Sequence, residues 1–172
     1  MKRVFLLLPM VLLISAGSDD QLGLKKYVPA GGAPTATMKF LKGTLRLSMM
    51  RGDVQYYGVM TDASCKASKK LITYSGGIGG NTQEKLVPVE AGHKVRILGT
   101  VIKQSDGGYM RENFFSCSNV MEFTPVAGTH YIVTQKTDPV SANFACHMAI
   151  VDEAAGAAPD DLAEMPAPSC RI

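Results

Sequence analysis

The chain has 172 residues, 46% of them apolar, no tryptophan, and a formal charge of +3 from 18 basic and 15 acidic groups. That length suits one domain with a sizeable core once a leader is removed. So small a net charge supplies no global attraction to nucleic acid or to an anionic membrane, and nucleic acid is excluded as an expected partner.

Lys2 and Arg3 precede an almost unbroken apolar run at residues 4–14, then small Ser15, Ala16 and Gly17, then polar Ser18, Asp19 and Asp20. A positive start, an apolar centre and a small-residue exit make the layout of a secretory signal peptide. Residues 1–17 are therefore expected to be removed, after Ala16 or Gly17. The run is shorter than the roughly twenty residues a spanning helix needs, and Pro9 interrupts it. No cysteine stands at the cleavage point to be acylated. The mature chain is expected in the periplasm or outside the cell, with no stable membrane span.

Without Lys2 and Arg3 the balance is nearly neutral, yet its spread is uneven. Residues 24–111 hold 14 basic and 5 acidic groups, and residues 112–172 hold 2 and 8. The simplest expectation is an acidic tail lying across basic strands of the same domain, or solvated. The alternative is a basic face that meets an acidic polymer or partner, with binding that weakens in salt.

Residues 18–34, with Gly23, Pro29, Gly31, Gly32 and Pro34, read as a flexible tether. After them the apolar residues alternate. Ala36, Met38 and Phe40 share one parity, as do Leu45, Leu47 and Met49, and Val95, Ile97, Gly99 and Val101. The same holds for Met121 and Phe123, for Tyr131 and Val133, and for Cys146, Met148 and Ile150. Successive strand side chains point to opposite faces, so these runs predict half-buried strands. Turn signals separate them: Arg51-Gly52-Asp53, the glycines of residues 75–81, Asp106-Gly107-Gly108 and residues 125–128. No amphipathic helix of three turns is visible.

Eight or nine short strands at this spacing predict an all-β fold, a single antiparallel β-sandwich over residues 35–151. Residues 152–172 form an irregular, acidic and Pro-rich tail. Pro88 to Ile97 and Thr124 to Val133 both run from proline through Ala-Gly into an alternating strand. Glycine takes positive φ at low steric cost and can reverse the chain there. The second form, Pro125-x-x-Gly128-x-x-Tyr131-x-Val133, resembles turns of immunoglobulin-like and transthyretin-like sandwiches. That resemblance spans about ten residues and implies fold class only.

Cys65, Cys117, Cys146 and Cys170 are even in number in an exported chain, so two disulfides are expected. Three pairings are possible. Cys65–Cys117 with Cys146–Cys170 is favoured, because the second bond would pin the tail to the strand holding Cys146. Their wide spacing lacks the Cys-x-x-Cys of a zinc or redox site.

His93, His130 and His147 are expected at the surface, and Cys146-His147-Met148 cannot ligate one ion from a strand because neighbours face opposite ways. Tyr74-Ser75-Gly76-Gly77 lacks the rest of a serine nucleophile loop, and no Gly-x-Ser-x-Gly elbow or phosphate loop is present. Asp152, Glu153, Asp160 and Asp161 lie in the tail without a rigid cleft. Tyr56-Tyr57 and Phe114-Phe115 are read as packing, with one ring of each pair buried. No catalytic residue, cofactor or metal is expected, and no enzyme. The expected role is an exported accessory or binding module of the cell envelope, with another envelope protein or a glycan as partner. A secreted inhibitor of an envelope-acting enzyme is the alternative, and a small-ligand or metal carrier the third reading. The expected binding loop holds Ser75, Gly76, Gly77, Gly79, Gly80 and Asn81, with residues 103–109 as a second choice.

Overall fold

A computed structural model describes residues 25–43, 45, 53–60, 68–75, 82–105, 113–138 and 145–166. The expected leader, most of the strand expected at residues 44–49, the glycine loop 76–81, Cys65, Cys170 and the end of the tail lie outside these residues. The described chain forms nine strands and no helix: β1 (Thr35–Leu41), β2 (Val54–Met60), β3 (Ser68–Ser75), β4 (Glu84–Glu90), β5 (Val95–Ser105), β6 (Asn113–Phe123), β7 (His130–Thr137), β8 (Cys146–Asp152) and β9 (Ala163–Met165). They make a four-stranded sheet, β4-β1-β7-β8, and a five-stranded sheet, β3-β2-β5-β6-β9.

Among the described strands the expectation of a purely antiparallel fold is corrected: β1 runs parallel to β7. Both strands start from the same end of the molecule. Gly128 N–H donates to Thr35 C=O, and Thr37 N–H donates to Thr129 C=O, each at 2.9 Å. Alternation reports which face of a strand is buried, and not the direction of its neighbour.

The alternation itself is seen in the burial of β1, β7 and β8, where Ala36, Met38, Phe40, Tyr131, Val133, Met148 and Ile150 are buried. These residues join Tyr57, Ile97 and Phe123 of the five-stranded sheet in one apolar cluster. Phe40 meets Tyr57 with ring centroids 4.8 Å apart, and Phe123 meets Tyr131 edge-on at 5.1 Å. Burying each such side chain contributes roughly 1.5–3 kcal/mol, so this shared interior is the main stabilising term.

The five-stranded sheet is covered on its other face too. Tyr56, Met60, Leu98 and Val120 form a second cluster, with Met165 of β9 against it. Tyr56 and Tyr57 are therefore both buried, on opposite faces, where only one ring was expected inside. Within the described residues the tail adds β9 to β6, with Met165 opposite Val120.

The two Ala-Gly reversals occur as expected, with φ of 82° at Gly92 and 77° at Gly128. They meet each other: Gly92 N–H donates to Pro125 C=O at 2.9 Å. A side chain at either position would hold a backbone conformation that L-residues rarely adopt.

The cysteine pairing differs from the favoured one. Cys117 of β6 is bonded to Cys146 of β8, with Cα atoms 5.7 Å apart, so neither Cys65–Cys117 nor Cys146–Cys170 is formed. The bond joins the two sheets to each other and does not pin the tail. Asn119 lies two residues along from Cys117, and its Nδ2 donates to Cys146 C=O at 3.0 Å. Which strands face each other depends on sheet order, and local periodicity carries no record of that.

A polar seam crosses the interior nearby. Gln55 Oε1 accepts from Gly43 N–H at 2.8 Å, and Gln55 Nε2 donates to the Tyr57 hydroxyl at 2.9 Å. The Tyr74 hydroxyl donates to Phe40 C=O. Burial is the main cause that raises the pKa of both tyrosines, Tyr74 to about 12. An unfolded tyrosine ionises near pH 10, so above that pH the unfolded chain binds fewer protons than the folded one. This stabilisation is complete below pH ~10 and is lost as pH rises toward and through the folded pKa values. Urea midpoints should fall from pH ~10 upward, and the fall should shrink in Tyr74→Phe. An equal alkaline loss in that variant would contradict the assignment.

Candidate functional site

Residues 25–34, expected as part of a tether, begin as a short arm on the outer edge of β3. Lys70 N–H donates to Lys25 C=O and Tyr27 N–H donates to Lys70 C=O, both at 2.8 Å, as a parallel bridge. The Tyr27 ring enters the main apolar cluster, which explains why the arm holds here. Its hydroxyl accepts from Glu90 N–H of β4 at 3.1 Å. One residue thus spans the outer strand of the five-stranded sheet and that of the four-stranded sheet. Burial raises the Tyr27 pKa, opposed by the Glu90 hydrogen bond.

Beside this clasp the two sheet edges leave a groove of about 580 Å³ between the arm, β3 and β4. Lys25, Lys26, Lys70 and Lys85 line it, and no carboxylate stands among its described lining residues. Lys25, Lys26 and Lys85 are exposed. Val28 and Leu86, at 69% and 60% exposure, give the same groove two solvent-facing apolar side chains. The arrangement joins positive charge, apolar contact and an open strand edge.

The residues singled out from the sequence fall elsewhere. Ser75 is the last residue of β3, while Gly76, Gly77, Gly79, Gly80 and Asn81 lie outside the described residues. Residues 103–105 close β5, and the rest of that second loop is also outside. His93, His130 and His147 are exposed. His93 stands 3.5 Å from Glu90 and His130 stands 3.9 Å from Glu153. Among the described residues no group of three or more His, Cys, Asp or Glu could hold a metal ion, and no helix is long and apolar enough to cross a membrane.

Three tail carboxylates, Glu153, Asp161 and Glu164, are engaged with the body of the protein. Glu153 pairs with Lys39 of β1, Asp161 accepts from Thr124 N–H at 2.9 Å, and Glu164 accepts from Asn119 at 3.2 Å. Asp152 accepts from the N–H groups of Ala154 and Ala155 and so shapes its own turn. These contacts fit an acidic tail laid on its own domain. The lysine-lined groove is a separate part of the basic stretch.

Sequence reasoning found the basic excess of residues 24–111 and missed the groove. The available signal was the lysine pairs Lys25-Lys26 and Lys69-Lys70 with Lys85. Only sheet order shows that they meet. Compared with known proteins, the chain matches no family model and no curated protein.

Proposed function

We propose that the chain is an exported, non-enzymatic binding module of the cell envelope or exterior. In this reading its two sheets form an immunoglobulin-like or transthyretin-like β-sandwich that presents the groove between β3 and β4 to an anionic partner. One observation carries it: Lys25, Lys26, Lys70 and Lys85 line an open groove together with exposed Val28 and Leu86. Large apolar groups left in solvent beside like charges favour a site of contact over a solvated face. The disulfide between β6 and β8 suits an oxidising compartment. The inhibitor reading relied on the glycine loop, which lies outside the described residues, and no described cluster supports the metal-carrier reading.

The test is calorimetric titration of the mature chain with dextran sulfate at low and high salt. Exposed charges are screened beyond about 10 Å at 0.1 M salt, so affinity should fall steeply as salt rises. The triple variant K25E/K26E/K85E removes three exposed pairs worth ~0.2–1 kcal/mol each and adds repulsion. It should bind roughly tenfold more weakly or worse. Equal affinity of the variant and the parent would overturn the assignment of the groove.

A further inference from the structure

We infer that the groove takes an extended acidic peptide segment, which joins the four-stranded sheet as a new outer strand on β4. This rests on the binding reading above and adds the chemistry and the backbone geometry of the ligand.

The orientation of β4 carries the inference. Lys42 N–H donates to Gln83 C=O at 2.8 Å, and Ala91 N–H donates to Pro34 C=O at 2.9 Å, at the two ends of the β1–β4 ladder. The main-chain groups of odd-numbered residues therefore face β1. Those groups alternate sides along a strand, so Glu84, Leu86, Pro88 and Glu90 turn theirs away from β1. Glu90 N–H is already used by the Tyr27 hydroxyl. Glu84 and Leu86 keep an N–H and a C=O toward the open edge, and Pro88 keeps a C=O. Among the described residues β4 has no partner but β1. Tyr27 caps one end of this edge and proline ends donation there, so the open ladder is short and its length is set by residues 84–88.

An extended polypeptide matches such an edge because its own N–H and C=O groups repeat at the same two-residue interval. A glycan carries no such repeat. The lysines of the groove lining select an acidic segment over Lys85 to Pro88, Glu84 sets one carboxylate at the end of the ladder, and Leu86 and Val28 accept the alternate apolar side chains of the segment. A second copy of this chain is disfavoured as the occupant, since it would set its own groove lysines beside these.

The probe is a fluorescein-labelled octapeptide of alternating Glu and Val, titrated by anisotropy against the full mature chain at low salt. Saturable binding is expected, with at least a tenfold loss for K25E/K26E/K85E, and no binding of the matching Lys-Val octapeptide. Alternate N-methylation of the Glu-Val peptide keeps its charge and blocks one edge of its backbone, and should also cost at least tenfold when the blocked edge faces β4. Hydrogen exchange at the amides of Glu84 and Leu86 should slow on binding. Peptide binding with unchanged exchange at both amides would overturn strand addition, and so would full tolerance of N-methylation on both edges, tested in two peptides methylated at alternate residues. Concentration-dependent slowing in the protein alone would assign the edge to a second copy instead. Binding of dextran sulfate without peptide binding overturns this inference and leaves the groove as a polyanion site. Failure of both ligands overturns the two readings together.

Discussion

Replacing Cys117 and Cys146 together by alanine should lower the unfolding free energy by about 3–4 kcal/mol. The bond closes a segment of sequence separation 29 and links β6 of one sheet to β8 of the other. Opening it frees the denatured chain from that closure. In the folded state the loss falls beside Asn119, whose side chain holds Cys146 C=O and also accepts from Gln135 Nε2 at 3.3 Å. Among the described residues Gln135 Oε1 has no hydrogen-bond partner, so loosening the sheets here exposes a polar seam that is incompletely satisfied there. Urea denaturation under non-reducing conditions measures the effect, and each kcal/mol should appear as several degrees in Tm. A loss below ~1 kcal/mol would contradict the role given to this bond. With Cys117 and Cys146 paired, full oxidation within one chain leaves Cys65 only Cys170. A non-reducing peptide digest should recover those two linkages, and a peptide joining Cys65 to Cys117 would contradict the pairing.

What the sequence revealed follows from which faces of each strand are covered. β1, β7 and β8 each have one buried face, so their alternation is written in the residues themselves. β2 has both faces buried along most of its length, and Gln55, Tyr56, Tyr57 and Val59 show no period of two. β4 fails in the opposite way: Glu84, Lys85, Leu86 and Pro88 are all exposed, as an outer strand allows. The groove inherits that difficulty. It is built from a distant arm and the outer strands of two different sheets, and each is poorly marked by hydrophobic pattern. Glycine turns were legible because positive φ is a local demand, as Gly92 and Gly128 show. The Cys117–Cys146 bond was not, because it depends on which strands of two sheets come to face one another.

The second large effect tests the shared interior directly. Phe40→Ala should cost about 3–5 kcal/mol, the range for deleting a fully buried aromatic side chain. Phe40 is wholly buried in the cluster that draws on both sheets. Its truncation leaves a void facing Tyr57 and removes a ring contact worth ~0.5–1.5 kcal/mol beyond burial. The Tyr74 hydroxyl bonds to the Phe40 carbonyl, which alanine retains, so that hydrogen bond is not part of the loss. Domains of this size are stable by only about 5–15 kcal/mol, so the variant should unfold at a much lower urea concentration with an unchanged slope. Leu86→Ala is the matched contrast, because its side chain already faces solvent and its removal should change stability by less than ~0.5 kcal/mol. Equal midpoints for the two variants would mean that the sheets do not depend on a common core. The unequal result would place stability in the core shared between the sheets and not in the outer strand β4.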